Sequence, residues 1–248
     1  MKRLVFKVFM VLVSVIGCTK EEAAHSPRNN TPDTKSSFDY LSVGSLHNEF
    51  LDSLFASSVD KNDPYAVMDT LSYYMNAIYN YEQDFYGMWE SDECYMEYID
   101  VLSQDTSSAS DMLTYIQNNC SILNWEYGFL EDMVYIIDSQ YDHQQISNLL
   151  DDLESDVLKY STLDTLNRYR LLASVSVAEK SLIYWEQVTL TKWPSHWREI
   201  LVGDALGVYA SSSQIATASM FGPWWGAAYA AGAAAASSTI VASSHNWD

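Results

Sequence analysis

The sequence predicts an all-α fold, a helical bundle with a small-residue-rich C-terminal helical hairpin. Three observations carry that prediction. Apolar residues recur three or four positions apart through the middle of the chain, the spacing that lines one face of a helix. Alternating β-branched stretches are few, and no Asn-Gly or Asp-Gly pair marks a hairpin turn. Near its end the chain runs from Ala205 to Ser244 without Asp, Glu, Lys or Arg, and is dominated by Gly, Ala and Ser. Small residues at helical spacing let two backbones approach closely.

The organisation divides into four stretches. Residues 1–17 carry Lys2, Arg3 and Lys7 ahead of an apolar run from Val8 to Ile16, too short to span a bilayer as a mature helix. This reads as a signal peptide, and Val15-Ile16-Gly17-Cys18 resembles the bacterial lipobox. The resemblance implies cleavage before Cys18 and lipid on that cysteine, so a membrane is the partner expected at this end. Thr19, where an aspartate would imply inner-membrane retention, favours outer-membrane delivery. Lys20-Glu21-Glu22 resembles the short signal that places Bacteroidetes lipoproteins on the cell surface. The expected location is therefore exported, at the outer membrane or cell surface. Residues 18–37 are polar, hold Pro27 and Pro32, and lack apolar periodicity, as a flexible tether does.

Residues 38–192 are expected to form an acidic helical body. From Pro64 a first run places Tyr65, Met68, Leu71, Met75 and Ile78 on one face, followed by Phe85 and Trp89; Asp63 supplies the cap and Pro64 the first turn. A second run takes Met112, Ile116, Leu123, Leu130, Val134 and Ile137, starting at Ser110 or Asp111. A third takes Ile146, Leu149, Leu153 and Val157, and a fourth extends from about residue 163 to 190. The many tyrosines of the first half are read as core-edge residues with buried rings and wet hydroxyls, ahead of an aromatic ligand groove.

Beyond Cys18, two cysteines remain, Cys94 and Cys120, in an oxidising compartment. The Thr106–Ser110 stretch reads as the break between helices and lies midway between them. An antiparallel hairpin turning there sets both cysteines at one height on facing helices, so a Cys94–Cys120 disulfide is expected.

Charge excludes one class of partner. The chain has 33 acidic and 13 basic residues, a net charge of −20, and loss of the three basic residues before Cys18 takes it to −23. Nucleic acid binding needs a basic footprint, so no nucleic acid partner is expected. His47, His143, His196 and His245 are scattered, with no helical pair to hold a metal. Two acidic clusters, Glu90, Asp92, Glu93, Glu97 and Asp100, then Asp151, Asp152, Glu154 and Asp156, lack the glycine-turn loop of a calcium site and are read as solvated faces. No nucleophile elbow, phosphate loop or dinucleotide fingerprint is present. The expectation is no catalytic residue, no metal and no cofactor, although carboxylates paired only by the fold leave no local trace.

Residues 193–248 form the Gly/Ala/Ser-rich helical tail, charge-free from Ala205 to Ser244. Gly222, Gly226, Ala230, Ala234, Ser238 and Ala242 follow at four-residue intervals and make a small-residue packing stripe. Gly222-Pro223 divides the segment into helical stretches of about 198–221 and 224–243. Three placements follow: packing into the body, which is favoured; assembly with a protein partner or a second copy of the chain; and insertion into a membrane. Trp193-Pro194, Trp197, Gly207 and Gly222-Pro223-Trp224-Trp225-Gly226 make the tail resemble the glycine-zipper-like ends of Bacteroidetes exported lipoproteins of unknown function. The function expected is a non-enzymatic binding or self-assembling module. The alternative is a membrane-active, toxin-like protein that inserts its Ala205 to Ser244 hairpin.

Overall fold

Three inner helices, wrapped by amphipathic ones, make up the fold. The computed structural model describes residues 40–79, 84–104, 108–160, 165–188, 196–219 and 223–244. Among them are eleven helices and no strand, the predicted all-α class. In chain order α1 spans Tyr40–Ala56, α2 Pro64–Tyr79, α3 Phe85–Glu90, α4 Glu93–Leu102, α5 Ala109–Asn119 and α6 Asn124–Asp138. Then come α7 at His143–Lys159, α8 at Thr165–Val188, α9 at Trp197–Ala210, α10 at Ser212–Ser219 and α11 at Pro223–Ser244. The predicted signal peptide, Cys18 and the tether lie outside the described residues.

The outer helices form where the periodicity and caps place them. Asp63 accepts from the Tyr65 and Ala66 amides at 3.1 and 3.2 Å, and α2 starts on Pro64 as predicted. The second run differs, being two helices rather than one. Ser108, not Ser110 or Asp111, caps α5, through a reciprocal box with Asp111 at 3.2 and 3.1 Å. Hydrogen bonds from Ser108 hold the Asp111 carboxyl below its usual range. The chain then leaves the helix at Cys120 and restarts at Asn124, where Glu126 reaches back to the Leu123 amide at 2.9 Å. On α7 the buried apolar positions are Ile146, Leu150, Leu153 and Val157, so Leu150 takes the place predicted for Leu149. α1 precedes the first periodic run read from the sequence, because its buried face mixes Val43, Phe50, Leu51 and Leu54 with Gly44 and His47.

The inner helices are buried all round. In α8 every residue from Leu171 to Ala178 is buried, in α9 every residue from Ile200 to Ala210, and in α11 every residue from Gly226 to Ala242. A helix without a polar face belongs inside a protein core. α11 packs on α1, α2, α4, α8, α9 and α10, while α8 packs also on α1, α6, α7 and α9. Of the predicted stripe, Gly226, Ala230, Ala234, Ser238 and Ala242 are buried, and Gly222 lies outside the described residues. The close approach to α9 uses another register. A Cβ on Gly203 would stand 2.8 Å from a Val241 methyl, and one on Gly207 would stand 2.9 Å from the Ser237 Cβ and 3.3 Å from the Ala233 carbonyl oxygen. The first arm of the predicted hairpin breaks at Ser211, whose amide bonds back to the Gly207 carbonyl, so α9 and α10 are separate helices.

Candidate functional site

A polar cleft opens where α3 meets α4, beside the end of α5 and the junction of α9 with α10. Its volume is about 620 Å³, and Asp92, Glu93, Glu97, Asn118, Asn119 and Arg170 form part of its wall. The Cys94–Cys120 disulfide, predicted from the hairpin midpoint, is another part, with Cα atoms 5.3 Å apart. Cys94 lies in the first turn of α4 and Cys120 ends α5. The crosslink holds two walls of the cleft in register.

Asp92 ties the third wall. It caps α4 by accepting from the Tyr95 amide at 3.3 Å, and its other oxygen accepts from the Ser213 hydroxyl of α10 at 2.6 Å. Burial pushes its carboxyl above the usual value, opposed by the bonds from Ser213, Tyr95 and Cys94. A carboxyl raised in the folded state stabilises below its unfolded value, about 3.9, and loses that contribution as pH rises through the folded value. Asp92→Asn keeps an acceptor for the cap. It is expected to be at least as stable as the wild type at neutral pH and to lose that advantage as pH falls toward about 4, read from denaturant midpoints.

Arg170 brings a positive charge from α8, and Glu126 cancels it. The Arg170 Nε donates to Glu126 Oε1 at 2.8 Å, Nη2 contacts the same oxygen, and Nη1 donates to the Ser212 hydroxyl at 3.3 Å. The guanidinium stacks 4.7 Å from the Tyr209 ring centroid. Glu126 is fully buried. Burial raises the Tyr209 hydroxyl well above its usual range, with Arg170 opposing and Glu126 adding. The remaining charges of the wall are acidic, and Glu97 also accepts from the Tyr115 hydroxyl at 2.9 Å. The last turn of α5 points its partial negative charge at the same space.

Asp92, Glu93 and Glu97 of the first acidic cluster thus share a cleft. The second cluster is rearranged by the fold. Asp151 and Glu154 meet Glu179 of α8 with oxygens within 4.8 Å of one another, and the Tyr40 hydroxyl donates to Glu154 at 2.8 Å. Burial pushes the Glu179 carboxyl up, opposed by Lys180 and helped by Asp151 and Glu154. Asp156 turns instead to Lys159 at 3.4 Å. His143 and His196 pair separately with Glu186 and Glu199, at 3.8 and 3.7 Å. The tyrosines divide: Tyr95 and Tyr98 are fully buried, whereas Tyr73 and Tyr135 are 65 and 69 % exposed. Arg170, Glu126, Tyr209 and Glu179 had no motif to announce them, since each acquires its partner from a distant helix.

No family model matches the chain, and neither does any curated protein or solved structure. The fold and the cleft define an all-α protein with an acidic, disulfide-edged recess.

Proposed function

We propose that the chain is a lipid-anchored binding module, exported to the outer membrane or cell surface through Cys18, that holds a small organic cation in this cleft. The cleft carries the reading. Its volume is in the range of small-molecule sites. Glu93, Glu97 and the end of α5 focus negative potential into it, within a chain of net charge −20, and such a field concentrates cations. Amides of Asn118 and Asn119 and hydroxyls of Ser91 and Ser213 supply hydrogen bonds to orient a bound amine.

Spermidine is the first probe, followed by calorimetry against an uncharged disaccharide. Glu93→Gln with Glu97→Gln is expected to weaken spermidine binding about tenfold, the scale of two partly exposed ion pairs. Equal binding by the double variant, or by the disaccharide, would overturn the cation reading.

Burial of α11 supports a binding module over a membrane-inserting hairpin, since insertion would have to draw α11 out from among six neighbouring helices. Among the described residues no helix is long and apolar enough to cross a membrane. The same burial favours the outer surface over the stripe as the place for a protein partner or a second copy. Non-acylated protein bearing Cys18→Ala is expected to stay in the supernatant with liposomes. Insertion dependent on residues 205–244 would instead establish the toxin-like alternative.

A further inference from the structure

Away from the cleft, α1, α8 and α9 bring polar groups together in the core. His47 of α1 and Asp204 of α9 are both fully buried. The direction of each hydrogen bond around them can be worked out. Asn48 Nδ2 donates to the Lys180 carbonyl oxygen at 3.1 Å, which orients the amide. Its Oδ1 therefore faces His47 Nδ1, at 2.9 Å. An amide oxygen only accepts, so Nδ1 carries a hydrogen. The opposite ring nitrogen, Nε2, lies 3.5 Å from Asp204 Oδ2. That oxygen also accepts from the Ser181 hydroxyl. With hydrogen on Nδ1 alone, the Nε2 lone pair would confront a buried carboxylate, two acceptors with no hydrogen between them.

We infer that both His47 nitrogens carry hydrogen, and that the resulting imidazolium–carboxylate pair is a proton-dependent clasp joining α1 and α8 to α9. Removing the proton leaves Asp204 as a buried charge without its cation, the arrangement that costs most in a protein interior. Neighbouring groups do not replace it. From α4, Tyr98 donates to the Gly203 carbonyl at 3.5 Å, and from α8, Tyr184 donates to Asp52 at 3.0 Å. Burial, and then the carboxylates Asp204 and Asp52 respectively, hold these two phenols well above their usual range, so both stay neutral. Lys180 runs alongside Gly44 and pairs with Glu179 at 3.7 Å. α11 carries no charged residue. Loss of that proton brings two acceptors face to face in the core, so the clasp weakens when it is removed.

The test compares the wild type with His47→Gln/Asp204→Asn, a neutral pair that still hydrogen-bonds, over about pH 5 to 8, where histidine changes charge. The wild-type unfolding constant is expected to rise with pH by up to about tenfold per unit more than that of the double variant, the limit for one proton. Parallel pH profiles would overturn the inference. Nitrogen NMR of wild-type His47 gives a readout independent of whether the variant folds: two protonated ring nitrogens at neutral pH are expected, and an unprotonated Nε2 would overturn it.

Discussion

Gly207→Leu is expected to remove about 3 kcal/mol of stability, the upper part of the range for overpacking a close-packed interior. The reason is the contact between α9 and α11. A single Cβ at Gly207 already meets the Ser237 side chain and comes within 3.3 Å of the Ala233 carbonyl oxygen, which is backbone and cannot rotate away. Gly128 is the internal control, because nothing lies within 4 Å of a Cβ there. Gly128→Ala in α6 is expected to stabilise by about 0.5 to 1 kcal/mol through helix propensity, while Gly207→Ala destabilises. Chemical denaturation of the three variants reads the signs directly. If Gly207→Ala proved as benign as Gly128→Ala, the tight α9–α11 approach would not exist in solution.

Glu126→Ala is the second large effect, expected to cost about 3 to 5 kcal/mol, as when one member of a buried ion pair is removed. Arg170 would then keep only the Ser212 hydroxyl and the Tyr209 ring as company for a charge that is 12 % exposed. The Leu123 amide would also lose its acceptor at the start of α6. The paired substitution Glu126→Gln/Arg170→Met tests the cause. It removes both charges and should recover much of the loss, because the penalty comes from leaving one charge unpaired rather than from the pair being strongly favourable. A double variant as unstable as Glu126→Ala would place the cost in packing instead.

Local information in the sequence was enough for several elements. The start of α2 at Asp63-Pro64 and the periodicity of α7 follow from the spacing of apolar residues and the chemistry of caps, both of which act within a few residues. The Cys94–Cys120 bridge followed from a hairpin midpoint, a relation between two adjacent helices. Where two local signals competed, the sequence reading was less accurate. Ser110 and Asp111 are the starts expected for α5, and the reciprocal bonds of Ser108 with Asp111 put the cap at Ser108 instead. The apolar spacing also continues across Cys120–Leu123, so the break between α5 and α6 became visible only through Glu126 turning back on Leu123.

The sequence by itself determined the helical class, the contrast between an acidic exterior and a charge-free C-terminal segment, and the spacing of the cysteines. Tertiary structure alone decided which face of that segment meets which helix. In α11 nearly every residue is small or apolar, so composition cannot select a register; the glycines of α9 select it, by admitting Ala233, Ser237 and Val241. The same holds for function. Glu126 with Arg170, Asp92 with Ser213 and His47 with Asp204 are each separated by 44 residues or more along the chain. Electrostatic and hydrogen-bond energies depend on distance in space, which no local motif records.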